Sequence, residues 1–151
     1  MGRKALWWVL LGWVWCSSVP VWAVLPEGLA DHAAAGDAGA QYRLGVAYAK
    51  GDGVEADDGE AARWFGRAAE GGDPEAMFAL GMLYATGAGV ALDAVLAHKW
   101  LHLCARLSEG VARQVALSAR NAITAQMLPE QVVEAQDLAS DWIDRNQVSR
   151  E

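Results

Sequence analysis

The sequence repeats itself with a period of 36 residues. Residues 36–71 align with residues 72–107 without a gap, and 14 of the 36 positions are identical. A period of this length is typical of solenoid proteins, in which each unit buries its apolar side by stacking on the next. The shared glycine, leucine, tyrosine and tryptophan positions form the predicted structural signature: Leu44, Gly45, Tyr48, Gly51, Gly53 and Trp64 in unit one, and Leu80, Gly81, Tyr84, Gly87, Gly89 and Trp100 in unit two.

Each unit predicts two amphipathic helices joined by a glycine-rich loop. In the first helix of unit one, Ala40, Leu44 and Tyr48 recur every four residues and form one apolar stripe. The second helix begins after Asp57, a residue type that favours the N-cap, and Glu60 three residues later predicts a capping box. We expect the tryptophan of each second helix to lie in the core.

Two sets of glycines have different predicted roles. Gly45 and Gly81 lie inside predicted helices, where glycine costs about 1 kcal/mol relative to alanine. We therefore expect a neighbouring helix to approach the backbone closely at both positions. The loops "YAKGDGV" and "YATGAGV" share their glycines but not the acid at Asp52. The glycines should supply positive φ angles, and Asp52 should be dispensable.

The 36-residue period, the G-x-G-V loop and the tryptophan of the second helix resemble the Sel-1-like repeat family, a tetratricopeptide-like group of α-solenoids. The resemblance implies an all-α, right-handed superhelix of stacked helix pairs and a role in protein–protein interaction. It also implies that a second stripe on the first helix of each unit lines a concave, partner-binding groove. That stripe consists of Tyr42, Val46 and Lys50 in unit one and of Phe78, Met82 and Thr86 in unit two.

Both flanks of the repeats fit the same resemblance. Residues 24–35 resemble the end of a preceding repeat helix, and residues 108–151 resemble C-terminal capping helices. In each of the two capping helices, the apolar residues are predicted to lie on one side of the helix. They are Val111, Val115, Ala119, Ala122 and Ile123 in the first helix, and Val132, Ala135, Leu138, Ala139 and Trp142 in the second. We expect both faces to cover the open end of the stack. In two alternatives, these helices fill the groove, or the last one binds a partner through Trp142.

Residues 1–23 have the features of a secretory signal peptide. A basic start precedes an apolar run, and Ala23 ends a pattern of small residues at a cleavage site. The alternative is a retained membrane anchor that extends to Leu25, although its apolar run is short for a span of about 20 residues. Lipid attachment at Cys16 is disfavoured because small residues do not precede this cysteine. The sequence therefore predicts a periplasmic or secreted protein.

The chain is acidic, and its charge restricts the partners that we expect. Its formal net charge is −7, and removal of the two basic residues of the signal peptide changes this to −9. Such a protein repels nucleic acids and anionic membrane surfaces. The expected partner is another protein or peptide, with membrane contact only if the anchor is retained.

The sequence contains no recognisable catalytic motif, so we expect neither enzymatic activity nor a cofactor. His98 and His102 are four residues apart and so face one side of a helix, but no third metal ligand converges on them. A ligand- or metal-binding module built on this pair is the alternative function, and we expect His98 to be partly exposed. Cys104 is predicted to be a small buried side chain, with pairing between two chains as its alternative.

Overall fold

The computed structural model describes residues 25–148, and this part of the chain is helical, without a strand. Its helices are α1 (Leu29–Ala34), α2 (Ala38–Lys50), α3 (Asp58–Glu70), α4 (Pro74–Thr86), α5 (Ala94–Leu107), α6 (Gly110–Thr124) and α7 (Pro129–Val148). The pairs α2–α3 and α4–α5 are the two repeats of a short α-solenoid, which confirms the predicted all-α class. The predicted signal peptide, including Cys16 and Ala23, lies outside the described residues. Within residues 25–148, no helix combines the length and apolar character needed to cross a membrane.

Aspartate caps all four repeat helices. The side chains of Asp37, Asp57, Asp73 and Asp93 each accept a hydrogen bond from the backbone N–H three residues later, at 2.7 to 3.0 Å. Such bonds satisfy one of the free N–H groups at a helix start. The predicted capping box is only half correct, because the Glu60 carboxylate pairs with Arg63 instead of returning to Asp57. The Asp57 N–H donates to the Tyr48 carbonyl at 2.9 Å, which ties the start of α3 to the end of α2.

Glycine allows the two helices of each repeat to pack closely. A Cβ on Gly45 would lie 2.7 Å from the Phe65 ring, and one on Gly81 would lie 2.9 Å from Cγ of Leu101. The predicted close approach is therefore confirmed in both repeats. The loop glycines have positive φ angles, as predicted, with values of 70° and 79° in the first loop and 73° and 67° in the second. In the second loop, a Cβ on Gly89 would overlap the Asp58 backbone, so glycine lets this loop rest on the start of α3.

The main core is centred on α5, because α4, α6 and α7 all pack on this helix. Eight of its 14 residues are buried. The core extends from Phe65 in α3 through Leu80 and Leu103 to Ala116 in α6 and Trp142 in α7. A smaller cluster joins α1 to α2 and consists of Leu29, Ala33, Ala40 and Leu44. The short helix α1 thus covers the N-terminal side of the first repeat.

The two signature tryptophans differ in burial. Trp100 is 5% exposed and belongs to the main core. Trp64 is only half-buried, packs against the smaller cluster, and carries the Arg67 guanidinium 4.5 Å from its ring centroid. The expectation that both are core residues is therefore correct for Trp100 alone. The difference arises because α6 and α7 pack on α5, whereas α3 packs mainly between α2 and α4.

The C-terminal helices use their apolar faces differently. In α7, the predicted face is buried on α5 through Ala135, Ala139 and Trp142. In α6, the predicted face is wrong, because Val111 is 80% exposed and Val115 is 48% exposed. The main neighbour of α6 is α5, and the contact is made through the fully buried Ala116. Because the Ala116 side chain is only a methyl group, α6 can pack closely on α5 at this position. The valines of α6 lie on another side of the helix, which faces the surface.

Candidate protein interaction surface

An open pocket lies between α2, α4 and α6, beside the C-terminal end of α5. Its volume is about 280 Å³. It is lined by Tyr42 from α2, Pro74, Glu75 and Phe78 from α4, Cys104 and Ser108 from the end of α5, and Ala112 and Val115 from α6. The first helix of each repeat supplies one wall, and α6 supplies a third. We use the term α2–α4–α6 face for the surface that contains this pocket together with Met82 and Val111.

Three of the predicted partner-binding residues lie on this face. Tyr42 and Phe78 line the pocket, and both are half-buried. The Tyr42 ring also packs on the Phe65 ring with 5.7 Å between centroids, which fixes its position on the core. Met82 lies one helical turn beyond Phe78 and is 37% exposed. These residues have the location that the predicted stripe requires, and their contact with a partner stays a prediction.

The other three residues of the predicted stripe lie elsewhere. Val46 lines a separate cavity between α1 and α2, together with His32 and other residues. Lys50 and Thr86 are exposed on the last turns of α2 and α4, and the Thr86 hydroxyl donates to the Met82 carbonyl at 2.9 Å. The structure therefore does not bring these three residues to the pocket, because the stripe extends beyond it along both helices.

The sequence interpretation missed the contribution of α6. Ala112 and Val115 line the pocket, and Val111 is the most exposed of the large apolar side chains on this helix. The apolar pattern of α6 is visible in the sequence, but it predicts a face that covers the open end of the stack. Since nothing in the pattern distinguishes a face that packs on α5 from one that meets solvent, the sequence could not decide between them.

Of the two C-terminal helices, α6 forms one wall of this pocket and α7 does not enter it. None of its lining residues comes from the described part of α7. Instead, α7 packs on α5, and the Trp142 indole N–H donates to the Glu70 carboxylate at 2.9 Å, at the end of α3. The alternative in which Trp142 anchors a partner is also disfavoured, because this side chain is only 3% exposed.

The field in the pocket is negative. Burial raises the pKa of the Tyr42 hydroxyl, and the carboxylates of Glu75 and Asp73 raise it further. Burial also raises the pKa of the Cys104 thiol; the hydrogen bond with Ser108 opposes this shift, and Asp73 adds to it. Cys104 is 3% exposed, as expected for a small buried side chain, which disfavours its pairing with a second chain.

His98 and His102 lie at the contact between α5 and α6. Contrary to expectation, His98 is only 2% exposed, and its Nδ1 has no hydrogen-bond partner in the described structure. Burial lowers the pKa of His98 to about 4, with further lowering by Arg120 and His102. The Arg120 guanidinium lies 3.3 Å from Nδ1 of His102. A cation at this position opposes metal binding, and residues 25–148 contain no group of three suitable ligands.

The two repeats match a known family. The protein-family model described as Sel1 repeat matches the sequence at residues 38–73 and 74–108, which span helices α2 to α5. The chain contains two Sel1 repeats. None of the curated proteins compared with the chain matches it.

Solved structures share its fold. One is a protective antigen present in uropathogenic Escherichia coli strains, which displays an SLR fold. It superposes with a TM-score of 0.71 and 31% sequence identity, and the match covers 78% of the present chain. A Sel1 repeat protein from Oxalobacter formigenes has a TM-score of 0.56 and 39% identity and covers 60%. The chain spans about a quarter of each of these longer proteins, 25% and 26% respectively.

Proposed function

We propose that the protein is an exported interaction module, a scaffold or regulator in the bacterial cell envelope, that receives another protein on the α2–α4–α6 face. Sel1-repeat proteins typically bind other proteins, and the family is generally non-catalytic. The observation that carries the proposal is the exposure of apolar side chains on this face, which is 80% for Val111, 48% for Val115 and 37% for Met82. Val111 and Val115 lie one helical turn apart, and exposed apolar side chains that are grouped on one face are typical of protein interaction sites.

Export is supported by the N-terminal sequence, in which a basic start, an apolar run and a small-residue cleavage pattern follow one another over residues 1–23. We expect the exported product to begin at Val24 and to be found in the periplasm or outside the cell. N-terminal sequencing after cell fractionation measures this directly. A product that retains residues 1–23 would support the membrane-anchored alternative instead.

Site-specific photo-crosslinking tests the binding face. A photoreactive amino acid replaces Met82 in the full chain, expressed in cells that make the protein. The control carries the same group at Val133 of α7, an apolar residue that is 56% exposed and does not line the pocket. We expect a discrete crosslinked protein from position 82 and none from position 133, because only the first lies on the proposed face.

A third variant separates specific contact from adhesion to an apolar surface. Ala112→Phe places a large ring in the pocket at an exposed position, so it should block the pocket without unfolding the protein. Crosslinking from position 82 should fall at least fivefold in this variant. Equal products from positions 82 and 133, or a product that Ala112→Phe leaves unchanged, would contradict the proposed face.

A further inference from the structure

We propose that the pocket of the α2–α4–α6 face receives an apolar side chain from a positively charged segment of the partner. This inference rests on the proposed function and names the chemistry of the partner at the same face. It follows from the size of the pocket, the apolar character of its walls and the sign of the charge around it.

The size and walls of the pocket suit one apolar side chain. A volume of about 280 Å³ is just below the range for small-molecule sites, which are about 300 to 1,000 Å³. Phe78, Ala112 and Val115 supply apolar atoms from two helices, and the Tyr42 ring adds an aromatic face from a third. A leucine or phenylalanine side chain from a partner would be covered on several sides while its backbone stays outside.

The charge beside the pocket is negative and is available to a ligand. Glu75 lines the pocket and forms no ion pair with a residue of the described part of the chain. Asp73 lies close enough to act on both Tyr42 and Cys104, although its carboxylate also accepts the Ala76 N–H at 2.9 Å. The described residues that line this pocket include no lysine or arginine. A lysine or arginine next to the anchoring side chain would therefore meet Glu75.

The net charge of the protein favours the same class of partner. The product that begins at Val24 has a net charge of −9, and this charge attracts a cationic segment over distances of about 10 Å at moderate salt. Electrostatic attraction of this kind mainly raises the association rate and selects the partner, whereas the buried apolar side chain slows dissociation. The two features of the pocket therefore have separate, measurable effects.

Two labelled peptides test the inference on the purified protein. Each has a central phenylalanine–leucine pair, flanked on both sides by two lysines in one peptide and by two glutamates in the other, and binding is followed by fluorescence anisotropy. We expect the lysine peptide to bind about tenfold more tightly at low salt, and this ratio to shrink at 0.5 M salt because exposed charges are then screened.

Two pairs of matched variants assign the effect to the pocket. Ala112→Phe should abolish binding of the lysine peptide, whereas Ala122→Phe, at an exposed position on the same helix, should not change it. Glu75→Gln should reduce the preference for lysine about threefold, while Glu134→Gln, an exposed acid on α7, should leave it unchanged. Lysine-peptide binding that persists in Ala112→Phe would show general attraction to an acidic protein, and it would overturn the inference.

The outcomes also separate this inference from the proposed function. Equal affinity of both peptides, or no binding of either, overturns the charge assignment. If the peptides bind equally or not at all but position 82 still crosslinks to a partner, the proposed interaction module is supported and only the predicted chemistry of its partner is wrong. If neither peptide binds and position 82 forms no crosslinked product, the α2–α4–α6 face is not a binding site.

Discussion

Helices α3 and α5 occupy the same place in the two repeats, and they differ in what covers their outer sides. The Arg63 side chain is 65% exposed, whereas Lys99 at the equivalent position is 7% exposed, with its ammonium 4.2 Å from the Trp100 ring centroid. The additional cover on α5 comes from α6 and α7. The repeat pattern therefore determines the contacts within a helix pair, and the position in the stack determines how deeply its outer side is buried.

Tryptophan truncation should show this difference most strongly. We expect Trp100→Ala to lower the free energy of unfolding by about 3 to 5 kcal/mol, because it leaves a cavity in the main core. Trp64→Ala should cost about half as much, since this side chain is only half-buried. Urea unfolding of both variants measures the two costs. Equal costs would mean that α6 and α7 do not protect α5 in solution.

Low pH should reduce the free energy of unfolding because His98 is buried. The equivalent residue in the first repeat is Ala62. The pKa of His98 is about 4 in the folded protein and about 6.5 in the unfolded chain. Between these pH values the unfolded chain binds a proton that the folded protein does not. The resulting stability is fully present above pH 6.5 and is lost as the pH falls, by about 3 kcal/mol at pH 4.

The measurement is the free energy of unfolding at pH 7, 5.5 and 4. His98→Leu should remove most of this pH dependence, although His102, whose pKa is also lowered by burial, retains a smaller part. His32→Leu, at an exposed position, serves as the matched control and should behave like the parent protein. An equal pH dependence in the parent protein and in His98→Leu would show that this imidazole takes up its proton as readily in the folded protein as in the unfolded chain.

Alanine in place of helix glycines should affect both repeats alike. Gly45→Ala and Gly81→Ala should each cost about 1 to 3 kcal/mol, because the added methyl group would meet Phe65 or Leu101 at less than 3.0 Å. Gly66→Ala has open space around its added Cβ and should stabilise the protein by about 0.5 to 1 kcal/mol. Thermal unfolding compares all three. Stabilisation by all three would exclude close packing within the repeats.

The smallest effect is expected in the first loop. Asp52→Ala gives this loop the residue that Ala88 already supplies in the second, and Asp52 is exposed. We expect a change within about 0.5 kcal/mol in the free energy of unfolding, as for most exposed surface positions. Gly51→Ala, which changes a position with a φ of 70°, is the contrasting variant and should cost more. A large effect of Asp52→Ala would reveal a role for the acid that the second loop lacks.

The sequence predicted the repeats well because their signals are local. Aspartate caps, loop glycines and the four-residue spacing of Leu44 and Tyr48 each depend on a few neighbouring residues. Burial of His98 and exposure of Val115 depend on where α6 lies relative to α5, a contact between helices that no periodicity encodes. The pocket was only half predicted for the same reason: its α2 and α4 walls belong to the repeat, and its third wall does not.

Oxidation of two methionines in α4 tests most directly whether the α2–α4–α6 face is open. Met82 is 37% exposed on that face, whereas Met77 of the same helix is fully buried. Under brief hydroxyl-radical exposure, mass spectrometry should find Met82 oxidised at least tenfold faster than Met77, because sulfoxide formation follows exposure. Equal protection of both methionines would show that the face is covered in the protein itself, and it would contradict a site that awaits a partner.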